Sequence, residues 1–192
     1  MNKYIPGIVI GVVAGVIFGF MMTFVFPDGP QPVFYGLGAA IFVAYIASNL
    51  AGNRKVPKAS DAEKQAALQM QPPPGKAMIY VYRDGFVAKL AGLNLQLDGK
   101  EFAQLTAPKF TCVVISPGAH TLTCGFGGLA GPQSKQGAYE FTAPADSVAA
   151  IGIGVKMGLV QGAMAFTPIT DAAAARAKIA SMPMVVADPA EI

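Results

Sequence analysis

Tryptophan is absent from this chain of 192 residues, histidine occurs once and cysteine twice. That scarcity removes most zinc sites and most nucleophile relays, which need several such side chains brought together. Charge is scarce as well. Asp, Glu, Lys and Arg make up 13% of the residues, where an ordinary soluble domain carries about 25%. With 53% of the chain apolar, disorder is excluded and a bilayer is indicated for part of it. Net charge is +3, and residues 76–192 hold nine basic and eight acidic residues, so the larger part of the chain has no footprint for nucleic acid. Isolated Asp turns supply no calcium or zinc ligand set, and Gly125-Phe126-Gly127-Gly128 lacks the Lys-Ser/Thr ending of a phosphate loop. Neither metal nor cofactor is expected.

The apolar excess is concentrated at the start. Ile5 to Phe26 runs 22 residues without a charge and Val33 to Ala51 another 19, separated by Pro-Asp-Gly-Pro-Gln-Pro at 27–32. About 20 apolar residues span the hydrocarbon core as a helix, so both runs qualify and the short connection makes them a hairpin. The first run is longer than a signal peptide's apolar region and has no small-x-small site before Pro27, so it reads as uncleaved. Gly7, Gly11, Gly15 and Gly19 recur at every fourth residue, and Gly36, Ala40, Ala44, Ser48 and Gly52 recur likewise. Membrane helices associate through close backbone approach at small residues, so the two ridges are expected to pack together, with pairing between protomers as the alternative. Arg54, Lys55, Lys58 and Lys64 follow the second run while the connection holds only Asp28. The positive-inside rule then places both termini in the cytoplasm.

Residues 53–75 read as a connector. Ser60 and Glu63 form a capping-box signature for a short helix, and Pro72-Pro73-Pro74-Gly75 reads as a stiff spacer holding the next domain off the membrane. From Lys76 the period changes to alternation. Strands are expected at Lys76–Arg83, Gly92–Leu97, Lys100–Leu105, Phe110–Ser116, His120–Phe126, Ala138–Thr142, Ala149–Lys156 and Leu159–Thr167, which points to a β-sandwich or small barrel. The last two could be misread as a third membrane span, but Lys156 and the glycines interrupt them. Asp171 caps a closing Ala-rich helix within about 171–182.

Two turns carry fixed backbone requirements. Asp98-Gly99 supplies the positive φ angles of a type I′ hairpin, and Pro117-Gly118 a fixed φ followed by a permissive residue. If Pro117 to Ala119 form a hairpin loop, Cys112 faces Cys124, within reach of a disulfide in an oxidising compartment; a slip of one residue abolishes the pairing and leaves buried thiols. An enzyme would have to use His120 with Cys124, but four residues along a strand separate them by about 13 Å. His120 has no acidic neighbour in sequence and reads as an exposed residue flanking a turn. No catalytic residue is expected.

The segments VYR at 81–83, LDGK at 97–100, SPGAH at 116–120, AYEF at 138–141, and FTPIT followed by DAAAARAKIA occur in an order that resembles the bacterial domain-of-unknown-function family 2846. The resemblance covers about residues 76–185, and the hairpin from LDGK to PGAH also resembles PEGA-type surface modules. It implies a small β-sandwich, often found in lipoproteins, and no established activity. The whole chain is therefore expected to be a membrane-anchored α+β protein with a transmembrane hairpin over 1–52, a connector over 53–75 and a β-sandwich with a terminal helix over 76–192. Its expected place is the bacterial inner membrane, multi-pass, with the large domain cytoplasmic; the alternative is periplasmic. The expected role is a non-catalytic interaction module, an accessory or structural subunit of an envelope complex, with membrane lipids and a protein partner or second copy as its contacts. A lipid- or glycan-binding module is the alternative, and Phe86, Phe102, Phe126 and Tyr139 are its candidate aromatics.

Overall fold

The computed structural model describes residues 4–29, 31–127, 135–156 and 162–192. The chain divides into two units, the first holding the described residues up to Asn53 and the second Arg54–Phe126 together with the residues described from 135 onward.

The first unit is a pair of helices, α1 (Ile5–Val25) and α2 (Pro32–Leu50). Each has a proline in its first turn, where the missing N–H costs no helical bond and the fixed φ suits the helix. Their burial is inverted relative to a soluble helix. Gly7, Gly11, Gly15, Gly19 and Ser48 are buried, while Ile8, Val9, Phe20, Phe24, Val33, Phe34, Ile41 and Phe42 are exposed. At 21 and 19 residues, with mean hydropathy of 2.6 and 1.7, both helices are long and apolar enough to cross a membrane by length and composition.

The second unit holds a short helix α3 (Asp61–Ala67), eight strands and a final helix α4 (Ala172–Ile179). The strands are β1 (Ala77–Arg83), β2 (Leu93–Leu97), β3 (Lys100–Leu105), β4 (Lys109–Ile115), β5 (Gly118–Phe126), β6 (Gly137–Ala143), β7 (Val148–Lys156) and β8 (Ala163–Ile169). They form two four-stranded sheets, ordered β4-β1-β7-β8 and β3-β2-β5-β6. All neighbours are antiparallel except β1 and β7. Alternate residues of the two sheets, including Ile79, Val81, Leu93, Leu95, Leu97, Val113, Leu122 and Ile151, meet in one apolar core. The outer face of the first sheet, with Tyr80, Tyr82 and Phe110, forms a second core with Leu68, Ala175, Ile179 and Met182. The Tyr80 hydroxyl donates to the Ala67 carbonyl at 2.5 Å and so ties α3 to that face. Three layers result: sheet, sheet and helices.

The capping box appears as its sequence signature indicates. Glu63 N–H donates to Ser60 Oγ at 3.2 Å, and Ser60 N–H donates to Glu63 Oε2 at 2.7 Å. Asp171 Oδ1 accepts from Ala174 N–H at 2.6 Å and starts α4. Two expectations are corrected. The connector is not a spacer, because the Arg54 guanidinium pairs with Glu101, Arg54 N–H donates to Gln104 Oε1 at 2.7 Å, and Ala59 N–H donates to Met184 O at 3.0 Å. Pro72 to Pro74 therefore lie inside the second unit, and only Ala51-Gly52-Asn53 separate α2 from its first fixed residue. The connection from β4 to β5 is also no hairpin: it carries the chain from one sheet to the other. As for the rival reading of a third span, β7 and β8 pair antiparallel from Ala150↔Ile169 to Lys156↔Ala163. Residues 159–161, placed in the last strand by the alternation, lie outside the described residues.

Candidate functional site

The small-residue contact is built as the fourfold spacing demands. A Cβ at Gly11 would stand 2.6 Å from the Ala40 carbonyl oxygen and 2.6 Å from Ala44 Cβ. One at Gly15 would stand 2.5 Å from the Gly36 carbonyl oxygen and 2.6 Å from Ala40 Cβ. Gly7 meets Ala47 and Ser48, and Gly19 meets Pro32 and Gly36, so the ridge runs the length of the pair. Gly52 is the exception. It lies past the end of α2, where its N–H donates to Asn49 O at 3.2 Å, and the matching ridge ends at Ser48.

Asp98 and Gly99 have φ of +49° and +81°, as the type I′ turn between β2 and β3 requires. The same aspartate reaches β5. Asp98 Oδ1 accepts from Thr121 N–H at 2.8 Å, and Asp98 Oδ2 lies 2.6 Å from His120 Nδ1. His120 Nε2 lies 2.8 Å from the Ser116 carbonyl oxygen, beside Pro117 and Gly118, whose φ is +142°. The acidic partner that sequence proximity does not reveal thus comes from a different turn, and the imidazole, with a side chain 10% exposed, is not the exposed residue expected. Burial disfavours its charge, but the bonds to Asp98 and to Ser116 outweigh that and raise its pKa above the ordinary value. Burial likewise raises the Asp98 carboxyl, yet His120 and the Thr121 N–H hold it below its usual range. Each ring nitrogen lies within hydrogen-bond distance of an acceptor, an arrangement the protonated imidazolium satisfies by donating from both, so both nitrogens are engaged within the fold.

The two cysteines do not face each other, which corrects the hairpin register. Cys112 lies opposite Tyr80 in the first sheet, while Cys124 lies opposite Leu95 and Gly137 in the second. Their side chains occupy different cores, Cys112 on the helix-covered face and Cys124 between the sheets. Both are free thiols. Burial pushes Cys112 up to about 11 and Cys124 up to about 12. Thiols so rarely ionised are poor nucleophiles.

No protein-family model matches the chain, and no curated protein matches it. Among the described residues, no group of three or more His, Cys, Asp or Glu side chains is placed to hold a metal.

One constellation has no signature in the sequence. Arg83, at the end of β1, is 1% exposed. Its Nη1 donates to the carbonyls of Ala91 at 2.5 Å and Leu105 at 3.0 Å, and its Nη2 to those of Ala88 at 2.6 Å and Val87 at 3.4 Å. The Phe126 ring lies 5.2 Å from the guanidinium carbon. Desolvation lowers its pKa to about 10, so it stays charged at neutral pH, held by dipoles and a π face. The alternation of β1 marks position 83 as inward but gives no hint that a cation there gathers the loop 84–92. That loop carries Phe86 and Leu90, 89% and 65% exposed. Of the other candidate aromatics, Phe102 is buried, Phe126 lies beside Arg83, and Tyr139 stacks on Phe141 and on Phe166 at 6.2 and 5.5 Å.

Proposed function

We propose that the chain is an integral membrane protein whose helical hairpin anchors a non-catalytic β-sandwich module beside the bilayer, on the cytoplasmic side of a bacterial inner membrane. The observation that carries this reading is the inverted burial of α1 and α2: glycine inside, with Ile, Val and Phe outside. Large apolar side chains around a helix pair are costly in water at about 25 cal/mol per Å² and cost nothing in hydrocarbon. The basic residues after α2 support the orientation, since Asp28 is the single charged residue of the 27–32 connection.

A non-catalytic role is supported by the occupied ring nitrogens of His120 and the raised pKa values of both thiols. The likeness to family 2846 belongs to the same proposal and rests on its turn motifs. Interaction is favoured over glycan binding because, of the four candidate aromatics, only Phe86 is exposed, and one ring makes no sugar platform. As an accessory or structural subunit, the module would act by presenting a surface beside the membrane.

Alkaline carbonate washing of membranes from expressing cells tests the anchor. The full chain is expected to stay in the pellet, and its recovery in the supernatant refutes the reading. Affinity purification in mild detergent tests the role, with a stoichiometric co-purifying protein as the expected result. Saturable binding of the purified chain to glycans, with no such protein, would favour the alternative.

A further inference from the structure

Outside α1, α2 and their connecting turn, Phe86 and Leu90 are the only large hydrophobic side chains strongly exposed among the described residues. They lie four residues apart on one short turn, closed by Lys89 N–H to Phe86 O at 3.2 Å and Ala91 N–H to Ala88 O at 3.0 Å, with exposed Lys89 between them. The turn is held from beneath. Arg83 binds three of its carbonyls, and Ala107 N–H donates to Lys89 O at 3.0 Å. Two apolar side chains are thus kept out of the core by a buried cation that fixes the backbone carrying them.

The geometry points to lipid as the occupant: we propose that the 84–92 turn is a docking tip that inserts Phe86 and Leu90 into the interface of the bilayer the helices span, with Lys89 on its headgroups. This rests on the membrane-anchor reading. Three observations favour a bilayer. From Leu50 across Ala51-Gly52-Asn53 to Arg54 the chain reaches no further than about 14 Å, so Arg54 stays close to the end of α2. Arg54 is fixed to Gln104, which lies opposite Asn94, one residue inside the strand that leaves the turn at Leu93, so the tip and the tether share one end of the unit. Charge is the third: exposed Lys55 and Lys89 suit anionic headgroups, and the one carboxylate in the turn, Asp84, is already paired with Lys178 Nζ at 2.7 Å. A stable protein interface buries about 800 Å² on each side, more than a single turn with two apolar side chains offers. For a tethered surface, where association costs little, two side chains and a lysine suffice.

The test uses the full chain reconstituted into vesicles of phosphatidylcholine and phosphatidylglycerol. Phe86→Cys, Leu90→Cys and Ala145→Cys are each labelled with an environment-sensitive fluorophore in a background with Cys112→Ser and Cys124→Ala; residue 145 is exposed at the opposite end of the unit. Lipid-borne quenchers are expected to quench the probes at 86 and 90 several-fold more strongly than the probe at 145. Equal quenching at all three positions, in vesicles that keep the chain through a carbonate wash, overturns the docking tip and leaves the anchor standing. Loss of the chain in that wash overturns both.

Discussion

His120 illustrates how a single residue's role is set by partners remote in sequence. Its raised pKa means its stabilising contribution is fully present below the ordinary 6.5 and is lost as pH rises through the folded value. The lowered pKa of Asp98 means the opposite: its contribution is present above the ordinary 3.8 and fades as pH falls through the folded value. The pair is therefore strongest between these limits. Because the Asp98 side chain is 42% exposed, solvent screening holds the effect to about 1 kcal/mol or less. Melting of the full chain in detergent should show the His120→Gln deficit largest near pH 5 to 6 and shrinking towards pH 9; a deficit independent of pH would contradict the ion pair. Arg83 has more at stake. Arg83→Met strands four buried or half-buried carbonyls and is expected to cost about 2 to 4 kcal/mol in the same assay. A loss below about 0.5 kcal/mol would mean that the loop does not depend on the cation. The cysteines give a third expectation: neither reacts with a maleimide at neutral pH until the chain is denatured, and no oxidant links them to each other without unfolding. A native disulfide seen as a mass loss on mild oxidation would refute the separate cores.

At the scale of elements, period and punctuation made most strands and helices legible. Asp98-Gly99 marks its hairpin, Ser60 and Glu63 mark α3, and Asp171 marks α4, each through a local backbone demand that no tertiary contact has to supply. Pro117-Gly118 misled for a physical reason. A turn dipeptide specifies a change of direction, whereas the choice between pairing with the previous strand and crossing to another sheet depends on which faces are buried. β4 is buried on both faces, Phe110 on one and Val113 and Ile115 on the other, so alternation could not tell which side Cys112 takes. The triple proline misled similarly, since stiffness says nothing about location. The helix ridges were legible because their chemistry is local: Gly at every fourth position lines one side of a helix with backbone that a second helix can approach closely. Gly15→Ala places a methyl 2.5 Å from the Gly36 carbonyl oxygen, and overpacking of this kind costs about 1 to 3 kcal/mol. Gly38 has nothing within 4 Å of its would-be Cβ. Gly38→Ala should therefore be neutral or slightly stabilising through helix propensity, by up to about 1 kcal/mol. Detergent melting of the two variants side by side checks the contact, and equal effects would remove it.

At the scale of the molecule, the proposed anchor and module are joined by three residues, and Arg54 is already part of the second unit. So short a link makes the orientation of the hairpin decide where the whole module resides. Sided labelling decides this most directly: Asp28→Cys and Lys64→Cys, each in the full chain in intact cells, exposed to a membrane-impermeant maleimide before and after permeabilisation. The account predicts reaction at residue 28 in intact cells and at residue 64 only after permeabilisation. Reaction at residue 64 in intact cells with residue 28 silent would contradict the cytoplasmic placement, and equal reaction of both only after permeabilisation would contradict a hairpin that crosses the membrane.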